Sequence, residues 1–172
     1  MRPIIRFSED DWQKIRKLAH DRYYLKRKAG VPDTEATGCF AWDVLGVMGE
    51  AAFSRYYGTP MRQMATLGGD DGYDAVLSGY RIGVKATRAR NRYLAPAKRD
   101  YPLQVHALAL FRCLSKYAAE FTGWVTVERF MAEHEVRTLR QDRGPMRVME
   151  IERLAHAGTL KSELLLIRNA LV

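Results

Sequence analysis

The stretch Asp74-Ala-Val-Leu-Ser-Gly-Tyr-Arg-Ile-Gly-Val-Lys85 decides the fold that the sequence predicts. Ser78 and Gly79 form a two-residue connection of the kind that closes a β-hairpin, and alternating apolar residues flank it on both sides. The turn fixes the register of the two strands: Leu77 opposite Tyr80, Val76 opposite Arg81, Ala75 opposite Ile82 and Asp74 opposite Gly83.

The two faces of this hairpin differ in polarity because side chains alternate along a strand. The apolar face carries Ala75, Leu77, Ile82 and Val84. The other face carries Asp74, Val76, Arg81, Gly83 and Lys85. A slip of one residue would bury Lys85 and expose Ile82, so the pattern favours this register.

A second carboxylate stands on the helix predicted just upstream. Apolar residues surround Glu50 on the helix expected over residues 40–57. A carboxylate there is costly to bury unless it is paired or binds a metal ion. Glu50 is therefore a surface-edge residue, a partner of Arg55 or Lys85, or a metal ligand. We favour the metal ligand because Asp74 and Lys85 follow, and two acids with a lysine at strand ends suit metal-dependent phosphodiester cleavage.

Three short motifs in this region resemble those of the PD-(D/E)XK nuclease superfamily, especially its small phage-type and restriction-endonuclease-like members. They are Gly46-Val-Met-Gly-Glu50-Ala-Ala-Phe53, Asp74 and Val84-Lys85-Ala-Thr87. The segment from Gly123 to Val148 is also similar to the tail of such proteins, so the resemblance spans residues 41–154. It implies an α/β (α+β) fold with a central mixed β-sheet flanked by helices. It also implies a nuclease that hydrolyses nucleic acid, DNA foremost, with Mg2+ or Mn2+ as cofactor.

Residue by residue, the resemblance implies a compact active site. Glu50 and Asp74 would bind the metal ion, with the backbone carbonyl of Val84 as a third ligand. Lys85 would position or activate the attacking water. Gln104, on the strand expected after the lysine strand, is a further candidate, although an exposed strand residue is the plainer interpretation.

Gly83 departs from the family pattern, which has an aspartate or glutamate two residues before the lysine. Glycine offers only its backbone, so one metal ligand is missing. Glu50 can supply the carboxylate from the helix, or Asp70 or Asp71 can supply it from the preceding glycine-rich loop. Alternatively, the fold binds nucleic acid without cutting it.

The charge of the chain fits a polyanionic partner. The 172 residues carry a formal net charge of +8, and basic proteins of this size often bind phosphate backbones through salt-sensitive contacts. The candidate nucleic-acid-binding residues are Arg81, Arg88, Arg90, Arg92, Lys98 and Arg99. Tyrosines interleaved with them can stack on bases. A merely soluble basic surface is the alternative.

Other classes of protein find little support in the sequence. Cys39 and Cys113 are far apart, and the four histidines lack the spacing of a zinc site. No signal peptide or membrane-spanning run is expected. A protein of the cytoplasm, or of a host cytoplasm if phage-encoded, is the resulting expectation.

The hydrophobic periodicity, and the glycine and proline residues that end secondary-structure elements, predict one domain over residues 1–172. A helix is expected from 9 to 29 after the capping box that begins at Ser8, and the core from 40 to 155. Strands are expected at 104–113 and 120–127 as antiparallel neighbours, the first of them central because it is apolar on both faces. A short helix capped by Thr126, a polar loop over 137–144 and an edge strand at 147–149 follow.

The residue patterns leave three functions open. The first is a metal-dependent nuclease, and pairing into a homodimer that cuts both strands is compatible with it. The second is a nucleic-acid-binding protein on a degenerate nuclease fold. The third is a phage-type adaptor whose basic face binds an acidic protein surface.

Overall fold

The computed structural model describes residues 1–30, 40–61, 72–88, 90–96, 104–138 and 144–170. It is a mixed α+β protein in which helices flank a mixed β-sheet, as predicted. The elements along the chain are β1 (Ile4–Arg6), α1 (Glu9–Lys28), α2 (Phe40–Tyr57), β2 (Ala75–Leu77), β3 (Tyr80–Arg88), β4 (Tyr93–Leu94), β5 (Ala107–Ser115), β6 (Ala118–Thr126), α3 (Val127–Glu133), β7 (Glu135–Arg137), β8 (Met146–Glu150) and α4 (Leu160–Ala170).

The central sheet has the strand order β1-β6-β5-β3-β2. Strands β3 and β5 are parallel, and the other neighbours are antiparallel. The two longest antiparallel strands, β5 and β6, are joined by a turn at Lys116 and Tyr117. The prediction that the first of these is a central strand is confirmed, because β5 lies between β3 and β6 and is apolar on both faces.

The hairpin has the predicted register. Ala75 lies opposite Ile82, and Leu77 lies opposite Tyr80. Ser78 and Gly79 both adopt positive φ, 53° and 87°, as a tight type I′ turn requires. The predicted apolar face is confirmed as well, because Leu77, Ile82 and Val84 are buried in the core beneath the helices. The prediction that Asp74 shares a face with Lys85 is wrong, because the Asp74 carboxylate bonds the N–H of Val84 and lies beside Glu50 of α2.

The two long helices begin and end where the sequence predicted. Ser8 caps α1, and its hydroxyl and the carboxylate of Asp11 bond each other's backbone N–H groups in a capping box. Helix α2 ends before Gly58, which adopts a positive φ of 66°. Both helices pack on one side of the central sheet, called here the helix side.

Helix α2 lies directly on β3. A Cβ atom placed on Gly49 would be 2.9 Å from the Cβ of Ala86 and 3.4 Å from a methyl carbon of Val84. Glycine is therefore required for the helix to approach the strand this closely. The contact also shows that Val84 and Ala86 point to the helix side.

The opposite side of the central sheet is covered by a second sheet, with the order β4-β8-β7, and by α3. A second apolar cluster fills the space between them. Its buried members are Leu94, Val105, Leu108, Leu110, Val125, Phe130, Met149 and Ile151. Strand β3 is therefore buried on both of its faces.

Several short elements differ from the sequence predictions. The expected edge strand is β8, which lies in the middle of the second sheet. Strand β7 lies partly within the expected polar loop, and β1 and β4 were not predicted. Strand β5 starts at Ala107 rather than Gln104, and the Thr126-capped helix ends at Glu133. Strands of two or three residues show too little alternation to be recognised, and neighbours distant in sequence stabilise them.

Two glycines of α2 should respond in opposite ways to the same substitution. Gly49→Ala should lower the free energy of unfolding by about 1–3 kcal/mol, because the new methyl group would overlap Ala86. Gly46→Ala is the matched control. No described atom lies within 4 Å of its added Cβ, so it should raise stability by up to about 1 kcal/mol. Urea unfolding, monitored by circular dichroism, measures the free energy of unfolding of both variants. A rise for Gly49→Ala equal to that for Gly46→Ala would contradict the close packing of α2 on β3.

Candidate active site

The two predicted acids converge on one cleft. Glu50 comes from the middle of α2, and Asp74 directly precedes β2. Both line a narrow cleft together with Val84 of β3, and in this structure the cleft is too tight to hold a water molecule. The structure therefore brings together three of the predicted site residues from three separate segments.

Asp74 occupies the point where β2 stops pairing with β3. Its backbone N–H donates to the carbonyl of Ile82 at 2.9 Å, which is the last bond of the hairpin on that side. Its carboxylate Oδ2 then accepts the backbone N–H of Val84 at 2.6 Å. The side chain thus takes the position of a further strand residue and is held firmly against β3 by a charge-assisted bond.

The carbonyl of Val84 points to the same edge of β3 as its N–H group. Along β3 the carbonyl of Ile82 bonds Asp74, whereas that of Arg81 accepts from the N–H of His106 at the start of β5. Successive residues of a strand direct their backbone groups to opposite edges. Val84 therefore directs its carbonyl toward the Asp74 edge, as its predicted role as a ligand requires.

Glu50 is held by an arginine of α1. The guanidinium of Arg22 donates to both carboxylate oxygens, at 2.6 and 2.8 Å. The two side chains are only 22% and 12% exposed. Neither partner suggested by the sequence is used, because Arg55 instead bonds Asp11 and the carbonyl of Arg6.

The Arg22 pairing had a signal in the sequence. Arg22 and Lys26 are four residues apart on α1, and Asp43 and Glu50 are seven apart on the mostly apolar α2. These spacings place each pair on one helix face. Lys26 bonds Asp43 as Arg22 bonds Glu50, so complementary charges join the helices side by side.

Lys85 lies on the other face of the same strand. The register between β3 and β5 is unbroken from Ile82 to Arg88, and Lys85 lies opposite Leu110 of the second apolar cluster. Because the side chains of Val84 and Ala86 point to the helix side, the side chain of Lys85 leaves the strand on the opposite side. It is half-buried and is not among the described residues that line the cleft.

Gly83 is enclosed by apolar side chains. A Cβ atom at this position would lie 3.0 Å from a methyl carbon of Leu108 and 3.4 Å from one of Val105. A carboxylate here would enter the second apolar cluster. The apolar packing therefore favours glycine, since any larger side chain would require Leu108 and Val105 to shift.

The remaining candidates occupy varied positions. Asp70, Asp71, Lys98 and Arg99 lie outside the described residues. Gln104 is exposed and packs against Gly72, close to Asp74. Among the basic candidates, Arg81 stacks on Tyr73, Arg88 stacks on Trp42, and Arg90 and Arg92 are exposed.

The oxygen donors that line the cleft are of the type that binds a magnesium ion. The described residues hold no group of three or more acidic, histidine or cysteine side chains suited to a metal. Two carboxylates and a carbonyl are nevertheless enough, because Mg2+ usually keeps several waters and takes one or two carboxylates. An ionised carboxylate has about four lone-pair sites. The two bonds from Arg22 therefore leave capacity on Glu50.

The surroundings of Cys113 are unsuited to a nucleophilic thiol. It lies on β5, and burial raises the pKa of its thiol to about 12. The thiol therefore stays protonated at neutral pH, whereas nucleophilic chemistry needs the thiolate.

Comparisons with known proteins give no relatives. No family model, no curated protein and no solved structure matches the chain. In the described part of the chain, no helix combines the length and apolar character needed to span a membrane.

Removing only one partner of the Arg22–Glu50 ion pair should destabilise the protein more than removing the charges of both partners. Arg22→Met should lower the free energy of unfolding by about 2–4 kcal/mol because it leaves a largely buried carboxylate uncompensated. Adding Glu50→Gln should recover much of this loss. The control is Lys14→Met, which removes an ion pair whose side chains are 73% and 75% exposed and should cost under about 1 kcal/mol. Equal losses from Arg22→Met and Lys14→Met in urea unfolding would contradict a buried pair.

Proposed function

We propose that this protein is a metal-dependent nuclease that hydrolyses phosphodiester bonds in nucleic acid, with DNA as the preferred substrate. The observation that carries the proposal is the convergence of Glu50 and Asp74 on one cleft beside the backbone of Val84. Two acids from a helix and a hairpin at the edge of a mixed sheet also support a restriction-endonuclease-like arrangement. The net charge of +8 suits a polyanionic substrate.

Each residue has a distinct task in this proposal. Glu50, Asp74 and the Val84 carbonyl would hold the cation, which when bound polarises a phosphate oxygen and lowers the pKa of a coordinated water. Arg22 would keep Glu50 aimed at the cleft. Lys85 would extend its flexible stem around the edge of β3, beyond the last residue that pairs with β2, and stabilise negative charge developing on the phosphate.

A second function is favoured by one specific observation. An acidic side chain at position 83 would run into Val105 and Leu108, which enclose Gly83. A protein that binds nucleic acid without cutting it would need no third acid. This alternative retains the basic surface and predicts salt-sensitive binding with no requirement for a metal ion.

Cleavage assays test the nuclease directly. Supercoiled plasmid, labelled single-stranded DNA and RNA are incubated with Mg2+, Mn2+ or EDTA. We expect metal-dependent cleavage that Asp74→Asn, Glu50→Gln and Lys85→Ala each lower at least about a hundredfold, since each removes a metal ligand or a charge near the reacting phosphate. Lys85→Ala should leave most binding intact.

The matched controls for cleavage are Asp10→Asn and Lys14→Ala, which change an exposed acid and an exposed lysine of α1. Both should cut like the wild type. Retained binding with no cleavage under any metal would refute the nuclease and favour the binding protein. Wild-type activity in Lys85→Ala would refute only the role proposed for Lys85 and would leave the nuclease proposal standing.

The packing around Gly83 predicts the outcome of restoring the family's acid. Gly83→Asp alone should destabilise the fold by at least about 1–3 kcal/mol, because the carboxylate meets Leu108. Shortening that neighbour in Gly83→Asp/Leu108→Val should recover part of the loss and place a third acid on the same face as Lys85. Melting temperature and cleavage rate are measured together. A single Gly83→Asp variant as stable as the wild type would contradict the enclosure of this position.

A further inference from the structure

An aromatic and an arginine side chain meet on the helix side of the sheet, about two turns of α2 away from the cleft. The guanidinium of Arg88 lies 5.1 Å from the ring centroid of Trp42. Trp42 is half-buried near the start of α2, and Arg88 is exposed at the end of β3. The pair therefore presents a planar aromatic surface and a cation at one place on the protein surface.

This pair and the cleft lie on the same side of the sheet. Val84, Ala86 and Arg88 alternate onto the helix side, as their contacts with α2 show. Four residues of strand separate Val84 from Arg88, which is about 13 Å. Eight residues of helix separate Glu50 from Trp42, which is about 12 Å. The helix and strand run in opposite directions, so the two estimates agree, and the Trp42–Arg88 pair lies about 12 Å from the acids along the line where α2 packs on β3.

Helix α2 has no side chain at the midpoint between Trp42 and Glu50. Gly46 lies one turn from each of them. Apart from its chain neighbours and the backbone of its own helix, no described atom lies within 4 Å of a Cβ built on it. A glycine inside a helix costs up to about 1 kcal/mol relative to alanine, and here no packing contact in the described structure requires it. A ligand that extends from the acids to Trp42 could pass close to this backbone.

The charges near the pair favour an anionic ligand. Arg22 and Glu50 neutralise each other, as do Lys26 and Asp43. Arg88 is exposed, and its described contact is with the ring of Trp42. The pair therefore carries a positive charge, while the aromatic ring provides a surface for stacking.

We propose that Trp42 and Arg88 form a binding subsite for an unpaired nucleobase and its neighbouring phosphate. The inference rests on the proposed function in that the ligand is nucleic acid, and it narrows the substrate class to single strands or frayed ends. Bases inside a duplex already stack on both faces, so only an unpaired base can cover the indole. Arg88, which now covers the ring, would move to the phosphate. The separation of about 12 Å corresponds to about three or four nucleotides at a stacked rise of ~3.4 Å and to fewer in an extended strand.

Binding in EDTA tests the subsite without cleavage. The ligands are a fluorescent oligothymidylate, an abasic strand of the same length and a duplex of mixed sequence. The wild-type protein should bind the oligothymidylate roughly tenfold to a hundredfold more tightly than the abasic strand, since stacking on an aromatic is the difference. It should also prefer the oligothymidylate to the duplex. This comparison needs no variant, so a folding defect cannot obscure it.

Variants then assign the effect to the two side chains. Trp42→Leu should weaken binding of the oligothymidylate roughly tenfold or more and leave the abasic strand unaffected, whereas Trp42→Phe should retain most of the affinity. Arg88→Gln should lower the slope of log affinity against log salt by about 0.7. The matched control is Tyr24→Leu, which removes an aromatic side chain of α1 that is 60% exposed and should change nothing.

The outcomes separate this inference from the proposed function. Equal affinity for the base-containing and abasic strands, tighter binding of the duplex, or equal effects of Trp42→Leu and Tyr24→Leu would overturn the subsite even if the protein cleaves DNA. Stacking-dependent binding in EDTA, with no cleavage under any metal, would support the subsite and overturn the nuclease. Absence of binding to all three ligands would overturn the subsite as well.

Discussion

The close contact between α2 and β3 is the constraint on which the rest of this structure depends. Gly49 carries no side chain, so the helix axis approaches the strand until Ala86 and Val84 touch its backbone region. A larger residue would lift the helix away from the sheet. Glu50, next to this glycine, would then no longer share a cleft with Asp74. The same contact aligns Trp42 with Arg88 two turns away. One small residue thus positions both the cleft and the Trp42–Arg88 pair.

Asp74 performs a second structural task that creates the site. By accepting the N–H of Val84, its carboxylate replaces the backbone partner that a longer β2 would provide. The hairpin can therefore end without leaving a buried donor unsatisfied, which would cost about 1–3 kcal/mol. The strand edge beside it is also where the Val84 carbonyl points. A residue that only terminated the hairpin could be asparagine or serine. A carboxylate adds a negative charge to the cleft that Glu50 also lines, where the guanidinium of Arg22 already compensates the charge of Glu50.

The sequence predicted those parts of the fold that are determined locally. The hairpin register follows from Ser78 and Gly79, which accept positive φ, and α1 follows from its capping box. The partner of Glu50 could not be read from α2 alone, because it depends on which face of α1 packs against it. The second sheet was missed for a similar reason, since β4 and β7 each contain two or three residues. Glu50 and Asp74 were predicted from their residue types, and strand alternation placed Lys85 opposite Val84. That Asp74 lines the cleft on the Val84 side, away from Lys85, was visible only in the structure.

Gly83 shows how packing and chemistry compete on one strand. Strand β3 is covered by α2 on one face and by the second apolar cluster on the other. Position 83 faces that cluster, where Leu108 and Val105 fill the space a side chain would need. A carboxylate there would lose its hydration without gaining a partner among these apolar groups. The chain therefore cannot hold both this apolar packing and an acid at position 83. The carboxylate that α2 brings to the cleft beside β3 is that of Glu50, and the ion pair with Arg22 compensates its charge at that largely buried position.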